Sequence, residues 1–215
     1  AWRAAEAPRG PVGLDMAQPA VAGPGDPRTI ARLQERLRRN PNDGDAAASL
    51  GLALLQRARE TGDPGLYGQA EQALGLALER DPDHTEALIG QGALALARHQ
   101  FAAALTWGER AAAAAPRLAA VYGVLADAYV ELGRYDEAVA AAQRMVDIRP
   151  GIDSYSRVAY LRELHGDTPG AMAAMELAVE AGAPGAENTA WARVQLGNLM
   201  LAQGYVTGAE AAYAE

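Results

Sequence analysis

The stretch VYGVLADAYVELGRYDEAVAAAQRMVDIRP, residues 121–150, holds the pattern on which the fold turns. Tyr122, Leu125, Ala126 and Tyr129 follow i, i+3, i+4, i+7, the spacing that aligns side chains on one face of an α-helix. Gly133 comes next, a residue suited to the left-handed backbone conformation with which helices commonly end. Tyr135, Ala138, Ala142 and Met145 form a second helical stripe, and Pro150 stands past its end. The stretch therefore reads as two helices joined by a tight turn. Ala126 and Ala138 are small, so the two helices are expected to approach closely there.

The pattern recurs on both sides. Pro82, Pro116 and Pro150 stand 34 residues apart, and Ala70, Ala104, Ala138, Ala171 and Ala209 follow at intervals of 34, 34, 33 and 38. Upstream of each alanine lies another small residue: Gly51, Gly92, Ala126, Ala159 and Gly197. Such a period in an all-helical pattern implies stacked helix-turn-helix units, each burying an apolar face on the next. Ahead of them, TIARLQERLRRNP (29–41) is a leading helix with Ile30, Leu33 and Leu37 on one face, ended by Asn40-Pro41. The unit from Gly44 to Pro82 carries seven extra residues around RARETGDPG (57–65), which should lengthen its first helix and expose a loop.

These correlated slots resemble tetratricopeptide repeats, whose hallmarks are a small residue in each helix together with aromatic and Leu-Gly positions. Residues 121–150 carry nearly all of them, and 88–116, 155–182 and 191–215 carry most. Gln91 stands where leucine is usual, His99 where glycine is usual and Arg162 where an aromatic is usual. The resemblance implies an all-α fold, a right-handed α-solenoid of helix-turn-helix repeats. Its organisation would be a half-repeat helix at 29–40, then repeats at about 44–82, 85–116, 119–150, 152–183 and 190–215. The last repeat reads as truncated inside its second helix, which leaves an uncapped end open to self-association. Residues 1–27, rich in Pro, Gly and Ala without sustained period, read as a flexible tether.

Composition bounds what such a chain can do. Of 215 residues, 50% are hydrophobic, yet mean hydropathy is only −0.13 because much of that half is alanine, the best helix former. Net charge is −8, and a dense basic face of the kind that tracks nucleic-acid phosphates is not expected. All 19 basic residues are arginine, which we read as codon bias of a GC-rich bacterial genome. Cysteine is absent, so disulfides, thiolate nucleophiles and Cys-ligated metals are excluded. No apolar run reaches the roughly 18 residues of a membrane span. The first residue is Ala1 and no signal-peptide pattern follows it, so a cytoplasmic and an extracytoplasmic setting after leader removal both stay open.

Catalytic chemistry is not expected. The sequence holds no nucleophile elbow, phosphate loop or dinucleotide fingerprint. His84, His99 and His165 fall in or near turns without partners at metal-ligand spacing. Asp136-Glu137 and Asp83 with Glu86 sit at helix starts, where the helix dipole favours negative charge by about 0.3–1 kcal/mol. No cofactor, metal or small-molecule substrate is expected.

The resemblance implies binding instead, to a protein or peptide in a concave groove lined by the first helices of successive repeats. Its groove slots fall early on Leu52, Leu55, Ile89, Ala93 and Leu96, and later on Asp127, Val130, Glu131, Asp153, Arg157, Tyr160 and Glu163. The last unit supplies Trp191, Val194, Gln195, Asn198 and Leu201. Arg157 either meets a ligand or pairs with Asp127, Glu131 or Asp153, and Trp191 either anchors a ligand or packs under its own loop. The Lys and Asn clamp with which some co-chaperone members hold a C-terminal carboxylate is absent, its slots being Ala48, Ser49, Leu52, Gly90, Ala120 and Val124. The alternative function is as the repeat portion of a larger enzyme, or of a membrane-anchored assembly factor similar to those of bacterial cytochrome c biogenesis. In the latter case the membrane would be reached only through a missing N-terminal anchor.

Overall fold

The computed structural model describes residues 25–214, which form eleven α-helices falling into two compact units, 25–116 and 117–214. Of the expected tether only 25–27 are described, and Pro27 already belongs to the first helix.

The first unit contains α1 (Pro27–Arg39), α2 (Gly44–Thr61), α3 (Leu66–Arg80), α4 (Thr85–Ala97) and α5 (Phe101–Ala114). Asp26 caps α1 by accepting from the Arg28 N–H at 2.6 Å, and Asp43 caps α2 by accepting from the Ala46 N–H at 3.0 Å. The insertion lengthens α2 to 18 residues, against 13 in α4. Fully buried Leu74 fills the space that Gly51 and Gly90 leave open, and a Cβ on either glycine would collide with it. Ile30, Leu33 and Leu37 of α1 pack on this cluster. Leu55 and Ala93 depart from the groove expectation, because Leu55 is part of that core and Ala93 packs against it. Small side chains around them let the apolar residues turn inward rather than line a surface.

The second unit contains α6 (Ala119–Glu131), α7 (Tyr135–Ile148), α8 (Ile152–Leu164), α9 (Thr168–Ala181), α10 (Glu187–Ala202) and α11 (Val206–Ala214). α6 pairs with α7, α8 with α9 and α10 with α11, while α8 also touches α6 and α10. Ala138, Ala142 and Met145 are buried as their spacing requires, but Tyr135 is 45% exposed and stands edge-on to His165 at 6.0 Å. Tyr122 and Tyr129 are half-buried, whereas Val121 and Ala128 have no exposure at all. α6 is covered by both α7 and α8, so its buried surface is wider than the single stripe that the spacing defines.

The period is written into the packing. Ala70, Ala104, Ala138 and Ala171 are fully buried and Ala209 nearly so. The turns repeat as well. Gly133, Gly166 and Gly204 have φ of 72°, 76° and 79°, and His99 occupies the equivalent place at 56°, the one positive-φ non-glycine among the described residues. In each turn the next N–H bonds the carbonyl five residues back: Gln100 to Ala95, Arg134 to Tyr129, Asp167 to Arg162 and Tyr205 to Met200.

Candidate protein-binding face

α6 and α8 run next to each other, and one residue pair fixes their contact. Arg157 donates from Nε to Asp127 Oδ1 at 2.8 Å and from Nη2 to Asp127 Oδ2 at 2.7 Å, a two-pronged bond between helices. Its Nη1 donates to the Asp153 carbonyl at 2.9 Å. Gly123 makes room for this: a Cβ there would lie 3.3 Å from the Arg157 Cζ. Burial disfavours the charge on Arg157, but the Asp127 carboxylate offsets that and its pKa is raised. Of the two roles open to Arg157 in the sequence, the structure displays the pairing with Asp127.

Around that bond the surface is acidic and aromatic. Tyr160, one turn beyond Arg157, is 48% exposed. Burial and then Glu131, Tyr135, Glu163 and Asp127 push its hydroxyl pKa up. Carboxylates of both α6 and α8 thus act on one phenol hydroxyl. Among the described residues, no ion pair or hydrogen bond engages the carboxylates of Glu131 and Glu163, whereas the Asp153 carboxylate acts electrostatically on Arg157. Asp153 lies at the start of α8 and lines a cavity of about 440 Å³ with Arg117, Arg149 and Ile152.

On α10, Trp191 is 48% exposed, with Val194 and Leu201 exposed along the same helix. About half of Trp191 is thus open to solvent. Thr189 ties down the loop before α10, donating its hydroxyl to the Ala183 carbonyl at 2.8 Å. Gln195 is half-buried, and Asn198 is exposed and accepts the Tyr213 hydroxyl at 2.8 Å. Asp127, Glu131, Asp153, Arg157, Tyr160 and Glu163 are thus brought together on α6 and α8. Trp191, Gln195 and Asn198 share a face of the adjoining α10.

Gly123 and Tyr135 are missing from the sequence-derived set. Gly123 was legible as a glycine inside a helix, a residue that needs a packing reason. Tyr135 sat in an aromatic slot assigned to the core. Elsewhere, His84 Nε2 stands 3.1 Å from Asp45 and His165 Nδ1 stands 2.7 Å from the Leu161 carbonyl. No group of three or more His, Cys, Asp or Glu side chains among the described residues could hold a metal ion. No described helix is long and apolar enough to cross a membrane.

Comparison with known proteins fits this geometry. A family model described as tetratricopeptide repeat matches residues 95–164. The chain is similar to a solved thermophilic TPR protein of Thermus thermophilus, at 24% identity and TM-score 0.64 over 76% of this chain and 88% of that one. It is similar to MamA of Desulfovibrio magneticus at 26% identity and TM-score 0.53, over 72% of this chain and 84% of that one. It is also similar to YrrB, a TPR protein with an unusual peptide-binding site, at 18% identity and TM-score 0.53 over 85% and 89%. These likenesses show the all-α helical-repeat solenoid fold. No curated protein matches the chain.

Proposed function

Since the chain is a tetratricopeptide-repeat protein, a fold that generally serves as a protein-interaction scaffold, we propose that it binds a partner protein or peptide on the face formed by α6, α8 and α10. One observation carries the reading. Tyr160 and Trp191 are each 48% exposed on adjoining helices, and Leu164 of α8 and Val194 and Leu201 of α10 are exposed as well. Large aromatic side chains dominate the energetics of protein interfaces, and exposing two on adjoining helices leaves apolar area for a partner to cover. The carboxylates of Glu131 and Glu163, without an ion pair among the described residues, would supply polar contacts at its edge. Arg157 serves this face from beneath, by fixing α6 against α8 through Asp127. That YrrB, of the same fold, has a peptide-binding site agrees with this use of the scaffold.

The test is affinity capture from lysate with the whole chain as bait, beside a Tyr160→Ala, Trp191→Ala double variant that melts at the same temperature. Proteins retained by the parent and lost from the variant support the reading. Identical captured sets would contradict it.

A further inference from the structure

We propose that the α6/α8 face takes a basic partner segment, with the side chain of an arginine or lysine seated on the exposed Tyr160 ring between Glu131 and Glu163. The inference rests on the binding face proposed above and names the chemistry of its occupant. It follows from how charge is distributed there. Asp127, Glu131, Asp153 and Glu163 bring four carboxylates to the face; Arg117 and Arg149 stand with Asp153 around the cavity at the start of α8, and Arg157 is the cation beside Asp127. That cation is already committed, with two bonds to Asp127 and one to the Asp153 carbonyl. Withdrawing it to greet a ligand would strand Asp127 and empty the space over Gly123. Arg157 is therefore a poor receptor for an acidic ligand, and the negative charge left without an ion pair among the described residues is that of Glu131 and Glu163.

Tyr160 turns that charge into a seat. A guanidinium or ammonium over a phenol ring is attracted by the ring's negative face, and carboxylates on either side add direct ion pairs. Glu163 stands one turn beyond Tyr160 on α8, and Glu131 is the last residue of α6, which packs beside α8; both push the Tyr160 hydroxyl pKa up, after burial. The fold already makes such contacts internally: Arg134 lies over Tyr129 at 4.6 Å and Arg110 over Trp107 at 4.8 Å. Among the described residues no cation lies over the Tyr160 ring, and Tyr160 is 48% exposed. An acidic segment would meet like charge from Glu131 and Glu163.

The experiment is fluorescence anisotropy with labelled dodecapeptide pools of matched apolar content, one rich in Arg and Lys, one rich in Asp and Glu and one uncharged. The basic pool is expected to bind at least about ten-fold more tightly than the acidic one, and to weaken as salt rises. Tyr160→Ala and the Glu131→Gln, Glu163→Gln pair should each reduce that binding by roughly five-fold or more with an unchanged melting temperature. Preference for the acidic or uncharged pool overturns the basic occupant while leaving the binding face in place. Basic binding that is indifferent to these substitutions overturns the seat. Binding of no pool overturns both readings.

Discussion

Arg157 and Asp127, thirty positions apart in sequence, meet through both carboxylate oxygens at 2.8 and 2.7 Å and so lock α8 to α6. The pair is neither exposed nor deep, with 29% and 38% of the two side chains accessible. Its value should fall between that of a surface pair and a buried one. Asp127→Ala, which strands the guanidinium, should cost about 1–2 kcal/mol. Arg157→Met keeps the packed stem and should cost less. Urea unfolding of both variants and the double variant measures this, and two equal, additive losses would mean that the pair is not coupled.

His99 holds a backbone conformation that the equivalent Gly133, Gly166 and Gly204 adopt without strain. A non-glycine residue there is disfavoured by roughly 1–2 kcal/mol, partly offset by the His99 ring standing edge-on to Phe101 at 5.6 Å. His99→Gly should therefore raise the melting temperature slightly. A fall would show that the ring contact outweighs the backbone.

Ala138 sits fully buried where α7 meets α6. Ala138→Leu should destabilise the chain by about 1–3 kcal/mol, because three added carbons have nowhere to go without moving a helix. An unchanged thermal melt would mean that the contact is looser than the structure indicates.

Acid should act through Asp43, which caps α2 and receives Arg36 of α1 at 2.6 and 3.0 Å. The Ala46 N–H and then Arg36 hold its pKa below the ordinary 3.8. The charged form is thus favoured by folding, and its contribution is present above pH 3.8 and lost as the pH falls below it. Asp43→Asn keeps a capping oxygen but removes the charge. The variant should be less stable at neutral pH and should lose less on acidification below pH 4, as followed by helical circular dichroism.

The repeat was legible because close helix contacts leave a mark in the sequence: only alanine or glycine fits where backbones approach, as at Ala70, Ala104, Ala138, Ala171 and Ala209. Turn chemistry was legible for the same reason at Gly133, Gly166 and Gly204. Aromatic positions were less so. Tyr135 and Trp191 occupy slots that suit either a core or a surface, and the neighbours that decide are distant in sequence. The commitment of Arg157 to Asp127 was likewise one of several pairings that spacing allows. Which of them forms depends on Gly123 making room, a condition visible only once two helices lie side by side.

The most direct test of the binding face compares two alanine sets of similar size against one partner segment. The first is Glu131→Ala, Tyr160→Ala and Trp191→Ala on α6, α8 and α10. The second is Glu176→Ala, Leu177→Ala and Glu180→Ala on the exposed side of α9. Affinity should fall by about ten-fold or more for the first set and stay within about two-fold for the second, at matched melting temperatures. Equal losses from the two sets would contradict the account.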